Sequence, residues 1–450
     1  MDRLVDAPEL AALVSALGRS TLTAIVRDVV GDARRRVRTG EDAPAPDVLV
    51  AEVRRRAERR LSSALRPVVN ATGVLLHTNL GRAPLPAASV DNIARVCARS
   101  GSVELDVETG QRARRGVHAE SALAELVASE AALVVNNNAA AVLLSLTALA
   151  AGRDVVVSRG ELVEIGGGFR IPEILARSGA TLVEVGTTNR TRLEDYERAT
   201  TSRTALWLRV HPSNFTMEGF VERPRLGDLA RAARTRGLPL VKDLGGGLVV
   251  PRPAETLGHE LAGEPTVQAS LAAGADLVLF SLDKLFGGPQ GGAIVGTRAL
   301  VARLRDDPLA RALRVDKLTL AALEPVLAAY ARGDHDAVPV LRQLRASLGD
   351  LRARLLSWQD RLGSHRACTE LVDVTSATGG GTRSDGIPSI GLAVSTGSAD
   401  GFARRLREHD PPVIARIEDG RVLLDPRTVL DEEDEQVVQA LLAAFAGEPR

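Results

Sequence analysis

Of the 57 lysines and arginines in this 450-residue chain, three are lysine: Lys242, Lys284 and Lys317. Arginine supplies the rest of the positive charge, and arginine neither gives up its proton nor condenses with a carbonyl. A retained lysine is therefore a candidate for chemistry that needs an amine. Lys284 has the surroundings for it. It follows the apolar run Leu277-Val278-Leu279-Phe280 and leads, through Leu285-Phe286, into Gly287-Gly288-Pro289-Gln290-Gly291-Gly292. An amine at the end of a buried strand, running into a glycine-rich turn, suits imine formation with an aldehyde. That is how pyridoxal 5'-phosphate (PLP) is attached to an enzyme.

PLP chemistry needs more than the lysine. A carboxylate must hold a proton on the pyridine nitrogen, a cup of N–H groups must take the phosphate, and a polar group must meet the ring hydroxyl. Each has a candidate, in a consistent order along the chain. Asn137, Asn138 and Ala139 lie where a strand gives way to a helix, so their N–H groups suit the phosphate. His211-Pro212-Ser213-Asn214 ends a strand, and places Ser213 and Asn214 among the cofactor contacts. Asp243 ends the run Val241-Lys242-Asp243. Ser281, three residues before Lys284, adds a phosphate contact. An asparagine-rich turn alone is usually a helix cap, and a strand-end aspartate alone is usually a turn former. The set, gathered around one lysine, points to PLP. Two arginine groups flank it: Arg82, in Asn79-Leu80-Gly81-Arg82, and the pair Arg311 and Arg314. If their segment is helical, the pair shares one face and suits a phosphate-like oxyanion.

The elements that must position these residues follow from hydrophobic spacing. Residues 67–325 alternate short apolar strands with helical stretches, the pattern of an α/β domain with a mostly parallel sheet. The strands are centred on 133–135, 154–157, 181–185, 205–210, 240–243, 277–281 and 293–296. Residues 1–66 read as a helical unit. Leu10, Leu13, Val14 and Leu17 mark one helix, and Leu22, Ile25, Val26 and Val29 a second, which Ser20 can cap. A third runs to Leu61 with Asp47 as its cap. Residues 326–450 continue a long helical stretch from about Leu318 to Leu362, then form a small α+β domain.

Composition narrows the class. Formal net charge is zero and 45% of residues are hydrophobic, so the whole chain is no polycation and can bury a large core. Cys97 and Cys368 form no disulfide or metal pattern, and no metal is expected. The first residues lack a basic stretch followed by an apolar core, and apolar runs stop short of a membrane span. The expectation is a cytoplasmic protein with no membrane contact. From Arg34 to Arg66 there are ten arginines and five acids, and residues 1–66 contain no aromatic residue. Such a surface cannot stack bases, and would meet folded RNA through shape and phosphates.

Long stretches resemble the bacterial selenocysteine synthases, the L-seryl-tRNA(Sec) selenium transferases. They include residues 70–82 (NATGVLLHTNLGR), 108–112 (ETGQR), 158–167 (SRGELVEIGG), 184–191 (EVGTTNRT), 311–320 (RALRVDKLTL) and 411–419 (PPVIARIED). Asp243-Leu244-Gly245 and Asp283-Lys284 with Gly287-Gly288-Pro289-Gln290 complete the likeness. The resemblance implies a fold-type I PLP-dependent transferase with a helical N-terminal tRNA-binding domain and a small α+β C-terminal domain. It implies conversion of L-seryl-tRNA(Sec) to L-selenocysteinyl-tRNA(Sec) with selenophosphate, through a PLP-bound aminoacrylyl intermediate. By position, Lys284 would carry the cofactor, Asp243 would partner the pyridine nitrogen, and Asp283 would be a catalytic carboxylate. Arg82, Arg311 and Arg314 would bind selenophosphate. The partners implied are tRNA(Sec) charged with serine, selenophosphate and further copies of the chain, in a ring of dimers. Two positions depart from the family pattern. Leu282 stands where glycine usually precedes Asp-Lys, in a place that could call for backbone room or positive φ. Gly246 stands where serine is usual.

The rival is a PLP-dependent lyase of the same superfamily acting on a free small amino acid. A small-molecule lyase has no use for the basic helical unit. A catalytically dead RNA-binding scaffold would have lost Lys284 or Asp243, and both are present.

Overall fold

The computed structural model describes residues 2–61, 65–166, 168–250, 261, 263–381 and 386–447. The chain forms two compact units, Met1–Val68 and Val69–Arg450.

In the first unit, apolar residues at helical spacing fold three helices onto one another: Ala11–Leu17, Arg19–Arg38 and Pro46–Leu61. Leu10, Leu22, Val26, Val29, Val53 and Ala57 form its core. Gly18 breaks the first helix as expected. Its left-handed backbone (φ +79°) turns the chain at once, so the next helix starts at Arg19 with Gly18 as the capping residue. Ser20 is therefore inside the helix and is not its cap. Asp47 likewise lies in the first turn of a helix that begins at Pro46, where its charge complements the positive helix end. Many of the arginines pair with acids on the same surface, as in Arg55–Glu52, Arg54–Glu58 and Arg56–Asp32.

The second unit is built on a seven-stranded sheet. Its strands are β1 (Ala131–Val135), β2 (Asp154–Ser158), β3 (Thr181–Val185), β4 (Thr204–Val210), β5 (Leu240–Gly245), β6 (Leu277–Ser281) and β7 (Gly292–Gly296). All seven expected strands are present. The spatial order is β1-β7-β6-β5-β4-β2-β3, with β7 antiparallel to both its neighbours and the pairings among β2 to β6 parallel. Both faces are covered. Leu133, Val135, Val241 and Leu279 pack with Leu144 on one side; Val134, Val278, Phe280 and Val295 pack with Phe286 and Tyr330 on the other. This is why the central strands are continuous apolar runs rather than alternating ones.

Register decides what the sheet can do. Val135 lies opposite Gly292, and Gly292 opposite Ser281. Asp243 lies between Val210 and Leu279. The carboxyl ends of β1, β4, β5 and β6 thus share one edge, where ligands bind in open α/β sheets.

A five-stranded sheet closes the unit: Arg416–Glu418, Arg421–Leu424, Ile387–Val394, Thr369–Gly379 and Val74–Leu76, in that order. Its last strand comes from the start of the unit and pairs in parallel, Ala377 with Val74. Buried Asp425 ties this region together. It accepts from Ser376 Oγ and Ser389 Oγ and from the Arg427 N–H. Gly73 passes so close that a Cβ there would stand 2.6 Å from Asp425 Oδ2. The helical stretch expected from Leu318 to Leu362 is broken into Lys317–Ala331, Pro339–Arg345 and Leu348–Arg361. The physical reasons are local. Gly333 adopts φ +68°, Pro339 cannot continue a helix that precedes it, and Ser347 caps the last segment by accepting from Asp350 N.

The tightest packing at the sheet's functional edge is at Gly292, where a Cβ would stand 2.1 Å from the Asn137 carbonyl oxygen. Backbone cannot yield as a flexible side chain would. Gly292→Ala is expected to cost about 1–3 kcal/mol, as overpacking does, and to displace the turn at Asn137. The expected outcome is a lower urea midpoint together with weaker PLP binding by the apoprotein.

Candidate active site

Lys284 follows β6 in a turn and is 4% exposed. Burial pushes its amine below the usual lysine range, with Arg82 adding to the effect; Asp243, Asp283 and Glu264 oppose it. A neutral amine is the form that attacks a carbonyl. Among the described residues the Lys284 amine makes no hydrogen bond and no ion pair. Asp243, at the end of β5, is 2% exposed. Burial pushes its carboxyl up, while Asn138, Lys284, Lys242 and His211 pull it down. Asn138 Nδ2 donates to Asp243 Oδ1 at 2.8 Å, and the His211 N–H donates to the Asp243 carbonyl at 2.9 Å.

Asn137 caps the helix Asn138–Ala150 through a 2.8 Å bond from Ala140 N. That leaves the N–H groups of Asn138 and Ala139 at the helix mouth, where no residue four back can accept from them. Asn138 therefore offers its backbone to an anion and its side chain to Asp243, a second role that its place in an Asn-rich turn gave no sign of. Ser213 is 1% exposed and its Oγ has no hydrogen-bond partner; Asn138 Oδ1 is another such buried atom. Asn214 is exposed and spends its side chain on the Glu164 carbonyl at 2.8 Å. Ser281 is buried at the end of β6.

Leu282 has an ordinary backbone, absent from the positive-φ residues, and is fully buried. Its Cδ1 fills the space beside Gly291, where a Cβ would be 2.8 Å away. The site thus accommodates leucine by keeping glycine opposite.

Asp283 Oδ2 accepts from Arg82 Nη1 at 2.7 Å. Arg82 carries φ +65° and follows Gly81 at φ +91°. A non-glycine residue in this region costs about 1–3 kcal/mol and persists only where its surroundings over-determine it. Here the Arg82 N–H donates to His77 O, and the Ala83 N–H donates to Asp283 O.

Arg311 and Arg314 do not share a helical face. The helix Pro308–Ala312 ends before Arg314, which instead makes an extended bridge with Val135, while the Asn136 N–H donates to Leu313 O at 3.0 Å. The segment ends there because it is recruited to the edge of β1, next to the Asn136–Asn138 turn. Arg314 Nη1 pairs with Glu104 at 3.4 Å. Arg311 is exposed and, among the described residues, has no ion pair. Both line a cavity of about 480 Å3 with Arg112, Arg114 and Arg305. Lys284, Asp243 and Arg82 are not in its lining.

Sequence reasoning missed a buried charge cluster beside Asp243. Arg209 Nε lies 3.0 Å from Glu161 Oε1, and Glu161 Oε2 accepts from Val210 N at 2.9 Å. Glu264 faces His211. Lys242, on the opposite face of β5 from Asp243, is pushed down to about 8 by burial, with Arg209 adding to the effect. The one signal available was Glu161's place in a family-like stretch.

The residues present fit PLP. An unpartnered amine, a buried carboxylate, open helix N–H groups and orphaned buried hydroxyl and amide atoms converge on one sheet edge. Among the described residues no cluster of His, Cys, Asp or Glu could hold a metal, and no helix is long and apolar enough to cross a membrane.

Lys242 is a chemical rival to Lys284, since both amines are depressed. Lys317 is not, because its amine donates to the carbonyls of Cys97 and Arg99. Geometry separates the first two, as only Lys284 follows its strand into the glycine turn. After borohydride reduction of the holoprotein, peptide mapping is expected to find the pyridoxyl group on Lys284 alone. Finding it on Lys242 would move the cofactor to the other face of β5.

A family model described as L-seryl-tRNA selenium transferase matches residues 68–430. A second, described as selenocysteine synthase N terminal, matches residues 1–34. The chain is 46% identical over 456 residues to the L-seryl-tRNA(Sec) selenium transferase of Moorella thermoacetica, covering 99% of this chain and 96% of that protein. It is 43% identical over 453 residues to the protein of the same name from Geobacter sulfurreducens, covering 98% and 97%. Among solved structures, D-glucosaminate-6-phosphate ammonia-lyase shares the fold, with a TM-score of 0.60 at 20% identity over 85% of this chain and 96% of that one. The fold-type I architecture, the PLP-shaped site and these likenesses agree, and the chain belongs to the PLP-dependent L-seryl-tRNA selenium transferase family.

Proposed function

We propose that this chain converts L-seryl-tRNA(Sec) to L-selenocysteinyl-tRNA(Sec) with selenophosphate as the selenium donor. The observation that carries the site assignment is a desolvated, unpartnered lysine amine set between Asp243 and the Arg82–Asp283 ion pair. PLP, when bound, supplies an electron sink that lets the serine hydroxyl leave and a selenium nucleophile add at the same carbon.

The rest falls to the chain's own side chains. Lys284 is the attachment point and, once displaced by substrate, the base that moves the α-proton. Its depressed pKa suits both tasks. Asp243, oriented by Asn138, holds a proton at the pyridine nitrogen. The N–H groups of Asn138 and Ala139, together with Ser281, take the cofactor phosphate. Ser213, with its buried free hydroxyl, would meet the edge of the ring, and Asn214 would join it on leaving the Glu164 carbonyl. Asp283, oriented by Arg82, moves a proton at the serine side-chain oxygen as water leaves. Arg82, Arg311 and Arg314 bind the selenophosphate oxyanion, and Arg311 is supported in this by having no acid of its own to neutralise it.

The helical unit binds the tRNA. Among its described residues Arg34 and Arg38 form no ion pair and are open to phosphates. Self-association into a homo-oligomer, a ring of dimers, is part of the same reading. Exposed Val107 and Phe220, 74% and 85% accessible, support an interface between copies. The lyase reading is disfavoured by the family match over residues 1–34. We keep residues 1–66, 67–325 and 326–450 as the functional divisions, for tRNA, cofactor and small domain.

Two outcomes are expected. Arg311→Ala and Arg314→Ala should impair selenium incorporation far more than loss of water from seryl-tRNA, measured separately in single turnover. Lysine at either position should rescue only in part, because the charge stays while the bidentate fork is lost. Normal incorporation at low selenophosphate in both alanine variants removes these residues from the site. Second, the protein lacking residues 1–66 should still bind PLP and fail to shift tRNA(Sec) in a gel. Affinity of the full chain should fall steeply with salt, as counterion release requires. Unchanged tRNA affinity after truncation places recognition elsewhere.

A further inference from the structure

Six acids are buried among the described residues: Glu120, Glu161, Asp243, Glu264, Asp283 and Asp425. Five accept hydrogen bonds, from Arg114, Val210, Asn138, Arg82 and Ser376 respectively. Glu264 is the exception. Its side chain is 0% exposed, and neither carboxylate oxygen has a hydrogen-bond partner. Leaving a buried carboxylate without hydrogen bonds is expensive, so its placement calls for a reason. A polar atom that lacks a partner of its own faces it. His211 Nε2 lies 3.5 Å from Glu264 Oε2, on a side chain 14% exposed, and is itself buried without a hydrogen bond.

The two unsatisfied groups point at each other from the edge of the site. His211 follows β4 directly and is tied by its backbone to Asp243. Contacts of this kind are often long in a free site and tighten when it fills. We propose that Glu264 is a positioning residue for the reaction. Its carboxylate accepts from His211 Nε2, which fixes the imidazole tautomer and leaves Nδ1 for the ring hydroxyl of the bound cofactor. The chemistry is general: the proton on one imidazole nitrogen is set by what the other nitrogen bonds. The proposal rests on the PLP site described above and adds to it a residue that does not touch the cofactor.

A plain alternative is that Glu264 only balances charge. Lys242 and Lys284 both lie within its field. The two roles separate in a double-mutant cycle. A tautomer-setting carboxylate acts through His211 and loses its effect when His211 is gone; a charge-balancing one acts regardless.

The experiment is titration of the apoprotein with PLP, followed by the absorbance of bound cofactor, for wild type, Glu264→Gln, Glu264→Asp, His211→Asn and the double variants. Glu264→Gln and His211→Asn should each weaken PLP binding about tenfold, the scale of a hydrogen bond to a charged group. Either change at Glu264 should add nothing further in the His211→Asn background. Glu264→Asp keeps the charge near Lys242 but withdraws it from His211, so it too should weaken binding only when His211 is present. It carries the test if circular dichroism shows Glu264→Gln unfolded. Multiplying effects in the double variants, or wild-type affinity in Glu264→Gln, overturns the proposal. Failure of the wild-type protein itself to bind PLP overturns the cofactor assignment instead.

Discussion

A carboxylate and an amine removed from water at the ends of adjacent strands set the conditions for the large unit. Neither Asp243 nor Lys284 tolerates burial alone, and burial drives both toward neutrality. Asn138 opposes this at Asp243 through a hydrogen bond, and the lysine and the carboxylates oppose it in one another by charge, while Arg82 adds to it at Lys284. An amine made less basic and a carboxylate held by one amide are suited to a guest that brings an aldehyde and a basic ring nitrogen. The apolar sheet makes those few contacts strong, since charges interact more at low dielectric. Fully covered strands are thus the reason a handful of polar groups can govern the site.

Much of this was legible in the sequence because it is local. A strand announces itself by consecutive apolar residues, and a lysine running into glycines is visible without a fold. All seven strands of the large sheet, Lys284 and Asp243 are of this kind. What escaped is what depends on through-space pairing. Arg82 and Asp283 are 201 residues apart, and Asn138 and Asp243 are 105 apart. No spacing rule joins them. Arg311 and Arg314 look like a helical pair at a separation of three, yet the edge of β1 recruits Arg314 into a bridge and ends the helix. Ser20 looks like a cap, yet Gly18 turns the chain one residue sooner than that role allows.

The departure at Leu282 shows how a local rule can be met from a distance. A side chain in place of glycine looks costly two residues before Lys284. The backbone there needs no unusual angle, and the volume is taken from Gly291 across the turn. The large side chain of Leu282 packs against a residue with none, so the turn fills its volume without overpacking.

The path of residues 69–83 has a mechanical consequence. Val74–Leu76 is hydrogen-bonded into the five-stranded sheet, and six residues later Arg82 grips the Asp283 carboxylate, next to Lys284. Six residues can span at most about 20 Å, and the left-handed turn at Gly81–Arg82 shortens that reach. The segment is a short tether with one end in each place. If the small sheet swung outward, slack would run out within this tether, and the Asp283 ion pair would feel the load early. The Asp283 carboxylate is thereby coupled to the posture of the five-stranded sheet, and a swing of that sheet would pull on the ion pair beside Lys284.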